Sequence, residues 1–217
     1  MNEMTSAISL RHIQKTFGKM TVLQDVDLDV PFGSITGISG PNGAGKSILL
    51  RIICGLVKPE RGSVYVLGQP VGGRNEFPPA TGALIDGPGY LARASARKNL
   101  ELLARISRGA DDRRIREVLG IVGLDWHDTR PLSVYSNGMR KRLGIAQAIL
   151  ENPRVLILDE PTDAIDQAGW KDVYEYLIGM KEAGTTILFS SNNLDEIAIL
   201  CDRAFTLQEK RLLPAVL

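Results

Sequence analysis

The sequence predicts an α/β fold, with a parallel sheet covered on both faces, an antiparallel β layer before it and a helical lobe set into it. Three observations carry this. A short apolar stretch at 34–39 runs into Gly40-Pro41-Asn42-Gly43-Ala44-Gly45-Lys46-Ser47 and then into a helical pattern from Ile48. Val155-Leu156-Ile157-Leu158 is a continuous apolar run too short for a helix, and it ends abruptly in Asp159-Glu160, as a central parallel strand buried on both faces does. From there strands and helices alternate towards the C-terminus, the arrangement a parallel sheet requires.

The glycine-rich loop fits the pattern GxxxxGK followed by Ser or Thr. Gly40, Gly43 and Gly45 let the backbone curl until its amide hydrogens point inward, through dihedrals that side chains block. A strand before and a helix after place the loop at a helix N-terminus, whose dipole favours anions. In such a loop Lys46 neutralises the β and γ phosphates, and the Ser47 hydroxyl holds the Mg²⁺ that bridges them. The expected ligand is a magnesium-bound nucleotide.

A chain of 217 residues with 44% hydrophobic residues is long enough to bury a sizeable core without staples. Its 26 basic residues against 25 acidic ones give a net charge of +1, so nothing in the balance argues for a general nucleic-acid or anionic-membrane surface. Cys54 and Cys201 lie far apart, with no metal-ligand spacing around either, so neither a disulfide framework nor a zinc site is expected and a reducing cytosol is the natural setting. The first five residues lack a basic region followed by an apolar run, and no apolar segment reaches the roughly 18 residues of a membrane span. The chain is expected not to enter a bilayer.

Along the chain, 7–15 and 21–30 alternate apolar with polar residues, with Val22, Val26, Leu28 and Val30 on one register and Pro31-Phe32-Gly33 as a turn; this is the antiparallel layer. Phe17, followed by Gly18, sits between these strands, where the ring either stacks on a purine or serves as an apolar anchor. After the first helix, 58–62 is a turn, 63–67 resumes strand character, a Gly/Pro-rich passage reaches Pro79, and 81–85 is a buried strand. The residues 95–107 and 111–123 then read as helices, the second with Ile115, Val118, Leu119 and Val122 on one face. Arg113, Arg114 and Arg116 lie off that face and are expected to be solvated. Tyr135-Ser136-Asn137-Gly138 interrupts the pattern before a helix over 139–150. Beyond Glu160 come a helix from about 166 to 182, a strand at 185–189, a helix at 194–200 and a strand near 204–207, leaving an apolar tail at 212–217.

The phosphate loop, the Ser-x-Gly helix start and the apolar strand closing in Asp-Glu stand in an order that resembles the ATP-binding cassette (ABC) ATPases, from Phe17 to about Asp202. The resemblance implies one P-loop ATPase domain, with an α/β core and its β layer at 1–86 and 151–217 and an inserted helical subdomain at 87–150. It implies ATP and Mg²⁺ as ligands. Gly40 to Ser47, with Ile48 behind them and Val22, would bind nucleotide, and Phe17 would stack on the adenine. Ser47 and Asp159 would hold the metal, with Asp86 reaching its shell through water. Glu160 would be the general base and Lys46 the phosphate cation. Ser136, Asn137, Gly138 and Met139 stand where the family has Leu-Ser-Gly-Gly-Gln, and the resemblance implies that they meet the γ phosphate of an opposing protomer. Asp163-Ala164-Ile165-Asp166 resembles the loop through which two cassettes sense one another, with Asp166 at the nucleotide.

The acid at Asp86, where relatives carry glutamine, and the run from Tyr135 to Ala146 make the chain similar to the bacitracin-export and lantibiotic-immunity ATPases. The implied partners are an integral membrane permease and a second cassette, the same chain or a paralogue, with no nucleic acid. The implied location is the inner face of the cell membrane. Asn192 occupies the place of the family's histidine, and Asn137 that of a signature glycine. An amide donates a hydrogen bond but carries neither imidazole charge nor a shuttled proton, so the expectation is slow intrinsic hydrolysis, or pairing with a second cassette that completes the competent site. His12 and His127 sit on no site motif. The competing readings are a soluble non-transport ATPase of the same fold and a weakly hydrolysing regulatory subunit.

Overall fold

The computed structural model describes residues 6–72, 77–107, 109–163 and 170–216. Strands β1 (Ser6–Phe17) and β2 (Met20–Pro31) form a hairpin around Gly18, whose φ of 60° is open to glycine without strain. With β4 (Arg61–Val66) and β5 (Gln69–Pro70) they make an antiparallel sheet in the order β2-β1-β4-β5. In β2, buried Val26, Leu28 and Val30 alternate with exposed Asp25, Asp27 and Asp29. That is the period of two that puts one face of a sheet on the core.

The second sheet runs β10-β9-β3-β8-β7-β6, from β3 (Ile35–Ser39), β6 (Thr81–Leu84), β7 (Val155–Asp159), β8 (Thr186–Ser190), β9 (Arg203–Gln208) and β10 (Arg211–Ala215). Every pairing from β6 to β9 is parallel. The strands β3, β7 and β8 are buried throughout, and their alternate residues feed two cores. Ile38, Val155, Ile157 and Leu188 pack with the β layer and α1 (Lys46–Ile53), whereas Leu156, Leu158, Ile187 and Phe189 pack with the helices on the opposite face. This sandwich fixes the carboxyl ends of β3 and β7 side by side with β8, the edge where α/β sheets bind ligands.

The opposite face is covered by α2 (Ala96–Ser107), α3 (Asp112–Ile121), α4 (Asn137–Ile149), α5 (Lys171–Glu182) and α6 (Leu194–Leu200). Asp111, Ser136 and Asn193 cap α3, α4 and α6, each side chain accepting a backbone N–H of the first turn. The α4 backbone lies almost on β6: a Cβ added at Gly82 would sit 1.9 Å from the carbonyl oxygen of Ala148. Among the described residues no helix is long and apolar enough to cross a membrane.

Three details depart from the sequence reading. The helices α1 and α4 each begin two residues earlier than expected, because Gly45 and Ser136 end their loops and Lys46 and Asn137 already have helical backbone. The tail expected at 212–217 contains most of β10, which pairs antiparallel with β9; Pro214 is tolerated there because β10 is an edge. The helix expected over about 166–182 is present from Lys171 to Glu182, and its expected start lies outside the described residues. Arg114, expected to be solvated, is 9% exposed: its guanidinium donates to the carbonyls of Ile149 (2.6 Å) and Leu150 (3.1 Å) and to the Tyr176 hydroxyl (2.9 Å). It closes the C-terminus of α4, where the last carbonyls have no partner within the helix.

Candidate functional site

The loop between β3 and α1 owes its shape to its glycines. Gly40 has φ 145°, and a Cβ there would lie 2.5 Å from the carbonyl oxygen of Leu207. At Gly45, φ is 110°, and a Cβ would meet the Val22 side chain at 2.8 Å. Val22 on β2 thus supports the loop from the β-layer side. The Lys46 ammonium, 4% exposed, points back into this curl. It donates to the carbonyl oxygens of Gly40 (2.8 Å) and Pro41 (3.4 Å) and to Oδ1 of Asn192 (2.7 Å), and lies 3.1 Å from Oε1 of Glu160. A buried ammonium ringed by oxygens marks where phosphate oxygens would sit.

The acids come from β7. Asp159, buried at the strand end, accepts a hydrogen bond from the Ser190 hydroxyl at 2.6 Å. That hydroxyl also accepts from the backbone N–H of Glu160 at 3.0 Å, so β8 locks the turn on which both acids stand. Glu160 has φ 43°, a left-handed backbone that costs a non-glycine residue energy and is concentrated at functional sites. The turn re-aims its carboxylate out of the strand register and towards the phosphate loop. Asn192, just past β8, donates from Nδ2 to Glu160 Oε1 (2.9 Å) and Asn42 Oδ1 (2.6 Å). A single amide therefore bridges the phosphate loop, its lysine and the acid.

Of the residues singled out from sequence, the structure brings Asn42, Lys46, Asp159, Glu160 and Asn192 into this one cluster. Ser47 and Ile48 follow in the first turn of α1, and Gly43 and Ala44 complete the loop. Phe17 ends β1 with its ring 45% exposed and the Lys15 ammonium 4.8 Å from the ring centre. Asp86, with φ 62°, accepts a hydrogen bond from Arg51 Nε at 2.7 Å, so its carboxylate is already engaged by a cation. Ser136, Asn137, Gly138 and Met139 form the start of α4, where the Ser136 hydroxyl accepts the Met139 N–H at 3.1 Å. Asn137 faces a different cavity, shared with Asp86, Tyr90, Arg140, Lys141 and Asp163. Asp166, like Ala164 and Ile165, lies outside the described residues.

Sequence reasoning missed three participants: Ser190, which holds both acids, Arg51, which holds Asp86, and Lys141, whose ammonium donates to the Asp159 carbonyl at 3.4 Å. Only Ser190 carried a signal, as the residue closing β8 beside Asn192. Before α4, Asp128 accepts from the Arg130 guanidinium and backbone and from the Tyr135 hydroxyl (3.0 Å). The Arg130 bonds foremost hold its carboxyl well below the usual range. Burial, aided by that carboxylate, pushes the Tyr135 phenol up to about 12.

A family profile described as ABC transporter matches residues 23–163. The bacitracin transport ATP-binding protein BcrA of Bacillus licheniformis is 36% identical over 98% of this chain, which spans 70% of that protein's length. The lantibiotic transport ATP-binding protein SrtF of Streptococcus pyogenes is 35% identical over 90% of this chain and 84% of its own. Among solved structures, the ATP-binding subunit of an ABC transporter superposes with a TM-score of 0.88 at 25% identity, over 98% of this chain and 90% of that one. A dimeric bacterial ABC transporter cassette gives 0.84 at 25% identity, over 94% and 96%. The glycine-shaped loop around Lys46, the acids that close β7 and these likenesses lead to one assignment: the chain belongs to the ABC transporter family, as an ATP-binding subunit.

Proposed function

We propose that the chain hydrolyses ATP for an exporter of a peptide antibiotic or similar amphiphile, serving resistance or self-immunity. It would act as a nucleotide-sandwiched pair, with its own copy or a paralogue, on a separate permease at the inner face of the membrane. The observation that carries the hydrolytic part is the convergence of Glu160, Asn192 and Lys46 within 3.1 Å of one another at the mouth of the phosphate loop. The export part draws on the likeness to the bacitracin transport protein BcrA and the lantibiotic transport protein SrtF. The division into a core at 1–86 and 151–217 and a helical subdomain at 87–150 belongs to the same proposal.

In this reading the amides of residues 40–47 and the Lys46 ammonium bind the phosphates, while Phe17 and Val22 hold the base. The Ser47 hydroxyl and the Asp159 carboxylate are hard oxygen donors, which suit Mg²⁺; when bound, the ion neutralises the β and γ oxygens. Asp86, paired with Arg51, would reach that metal shell only through water. The Glu160 carboxylate leaves Lys46 once phosphate oxygens arrive and accepts the proton of the attacking water. Asn192 donates to the γ phosphate in place of an imidazole, without a positive charge, which makes turnover slow. The α4 N-terminus with Ser136, Asn137, Gly138 and Met139 would meet the partner's nucleotide, a role that Asp166 shares by the family resemblance alone.

Turnover of wild type, Glu160→Gln and Asn192→His tests the hydrolytic part. Glu160→Gln is expected to bind nucleotide and scarcely turn over, and Asn192→His to be faster than wild type; a fast wild type unchanged by the histidine refutes the role of Asn192. Deleting the gene is expected to sensitise its host to peptide antibiotics, and purification from the native membrane to bring a permease with the chain. A weakly hydrolysing regulatory subunit is the second reading, favoured by the amide that holds Lys46, Asn42 and Glu160 together. In that case Asn192→His leaves turnover negligible.

A further inference from the structure

Glu196, in the first turn of α6, is a buried carboxylate, 8% exposed, to which the chemistry above gives no task. Its Oε2 accepts two hydrogen bonds, from the Thr162 hydroxyl at 2.8 Å and from the Ser191 hydroxyl at 2.7 Å. These donors belong to the two loops that meet at Lys46. Thr162 lies two residues past Glu160, in a turn closed by the Asp163 N–H donating to the Glu160 carbonyl at 3.2 Å. Ser191 directly precedes Asn192; its N–H donates to Ile38 on β3 at 3.1 Å, and its hydroxyl accepts the Asn193 N–H at 3.0 Å. One carboxylate oxygen thus ties the base of each loop, and at their tips Glu160 and Asn192 stand 2.9 Å apart. Tyr174 of α5 faces the same group: burial first, then the charge of Glu196 and a hydrogen bond to it, push the phenol above its ordinary value and keep it a donor.

Burying a carboxylate is costly, and converging donors offset that cost while making short bonds of fixed geometry. An apolar side chain would fill the same space without setting the distance between two loops. We propose that Glu196 is a positioning residue for hydrolysis. By holding Thr162 and Ser191 on one oxygen it fixes Glu160 and Asn192 relative to Lys46, and so governs the rate of the chemical step rather than nucleotide affinity. The proposal rests on the reading of Glu160 as the base. The phosphate loop itself makes no bond to Glu196 among the described residues, which is why affinity is expected to stand.

The test uses the full chain with Glu196→Ala, Glu196→Gln, Thr162→Val and Ser191→Ala, and reads three quantities: steady-state ATP turnover, affinity for a non-hydrolysable ATP analogue, and amide exchange. Glu196→Ala is expected to lower kcat about tenfold while the analogue's Kd stays within about twofold, the pattern of a lost transition-state interaction. Thr162→Val and Ser191→Ala each lose part of this, and Glu196→Ala combined with Thr162→Val loses no more than Glu196→Ala alone. Glu196→Gln, which retains an acceptor oxygen, recovers most of the rate. Exchange is expected to quicken at 160–163 and 191–193 but not at 40–47, a readout that does not depend on turnover. Wild-type kcat with unchanged exchange in Glu196→Ala overturns the proposal, as does an equal fall in affinity and turnover. Should Glu196→Ala fail to fold, the two hydroxyl variants decide on the same criteria. Glu160→Gln runs alongside: if it turns over like wild type, the reading of the base fails, whatever Glu196 does.

Discussion

Replacing Arg114 with Met keeps the volume and the apolar stem of the side chain and removes only its guanidinium. The structure sets what is lost: buried bonds to the carbonyls of Ile149 and Leu150, one to the Tyr176 hydroxyl, and an ion pair with Glu117 at 2.9 Å. The two carbonyls end α4 beneath α3 and α5, and without the guanidinium they stay desolvated and unpaired. At about 1–2 kcal/mol for each, with at most about 0.5 kcal/mol from the half-exposed Glu117 pair, the loss comes to about 3 kcal/mol. For a chain of this size that lowers Tm by about 6–12 °C. Thermal and urea unfolding followed by circular dichroism measures it, with the denaturant slope expected to be unchanged. Affinity for a non-hydrolysable ATP analogue at low temperature should match wild type, because the phosphate loop lies on the other side of the sheet. A Tm within about 2 °C of wild type would show that water satisfies these carbonyls and that the bonds of Arg114 are ornamental.

Phe17→Ala is expected to weaken MgATP binding about tenfold, the scale of one base–aromatic stack, and to leave tripolyphosphate binding unchanged; competition titration separates the two. Gly40→Ala forces a Cβ to within 2.5 Å of the Leu207 carbonyl oxygen at φ 145°, and should abolish nucleotide binding in any protein that folds, read by calorimetry. For Asp128 the folded pKa lies below the unfolded value of about 3.9. Its contribution to stability is therefore complete above that value and is lost as pH falls through the folded pKa. Urea midpoints of wild type and Asp128→Asn should converge as pH drops below about 4, and a constant difference would remove Asp128 from the acid response.

What the sequence made legible was chemistry bound to local backbone. The loop at 40–47 can be read because glycine dihedrals, a lysine and a hydroxyl must occur at fixed spacing, and β7 because an apolar run ending in two acids has few other uses. Arg114 was misread because helical periodicity reports where a Cα points, not where a long side chain ends; its stem crosses from α3 to the end of α4. The strand character of β10 was not legible in the apolar tail, since Pro214 suits a strand only at an edge, which is a property of the whole sheet. The bridge from Asn192 to Asn42 spans 150 positions, and the Glu196 tie joins loops of two strands. No local pattern encodes either, since each exists only after β3, β7 and β8 have come together.

The saturated ammonium of Lys46 has a consequence for selectivity. Its oxygens come from two loop carbonyls, an amide and a carboxylate, so an arriving anion meets a neutralised pocket, not a bare positive charge. Orthophosphate, abundant in any cell, offers a small cluster of oxygens with nothing to anchor it elsewhere and would have to evict these residents unaided. A nucleotide also held by its purine would replace these oxygens one after another while staying attached, so competition titration is expected to rank it far above orthophosphate, and equal displacement by the two would refute this.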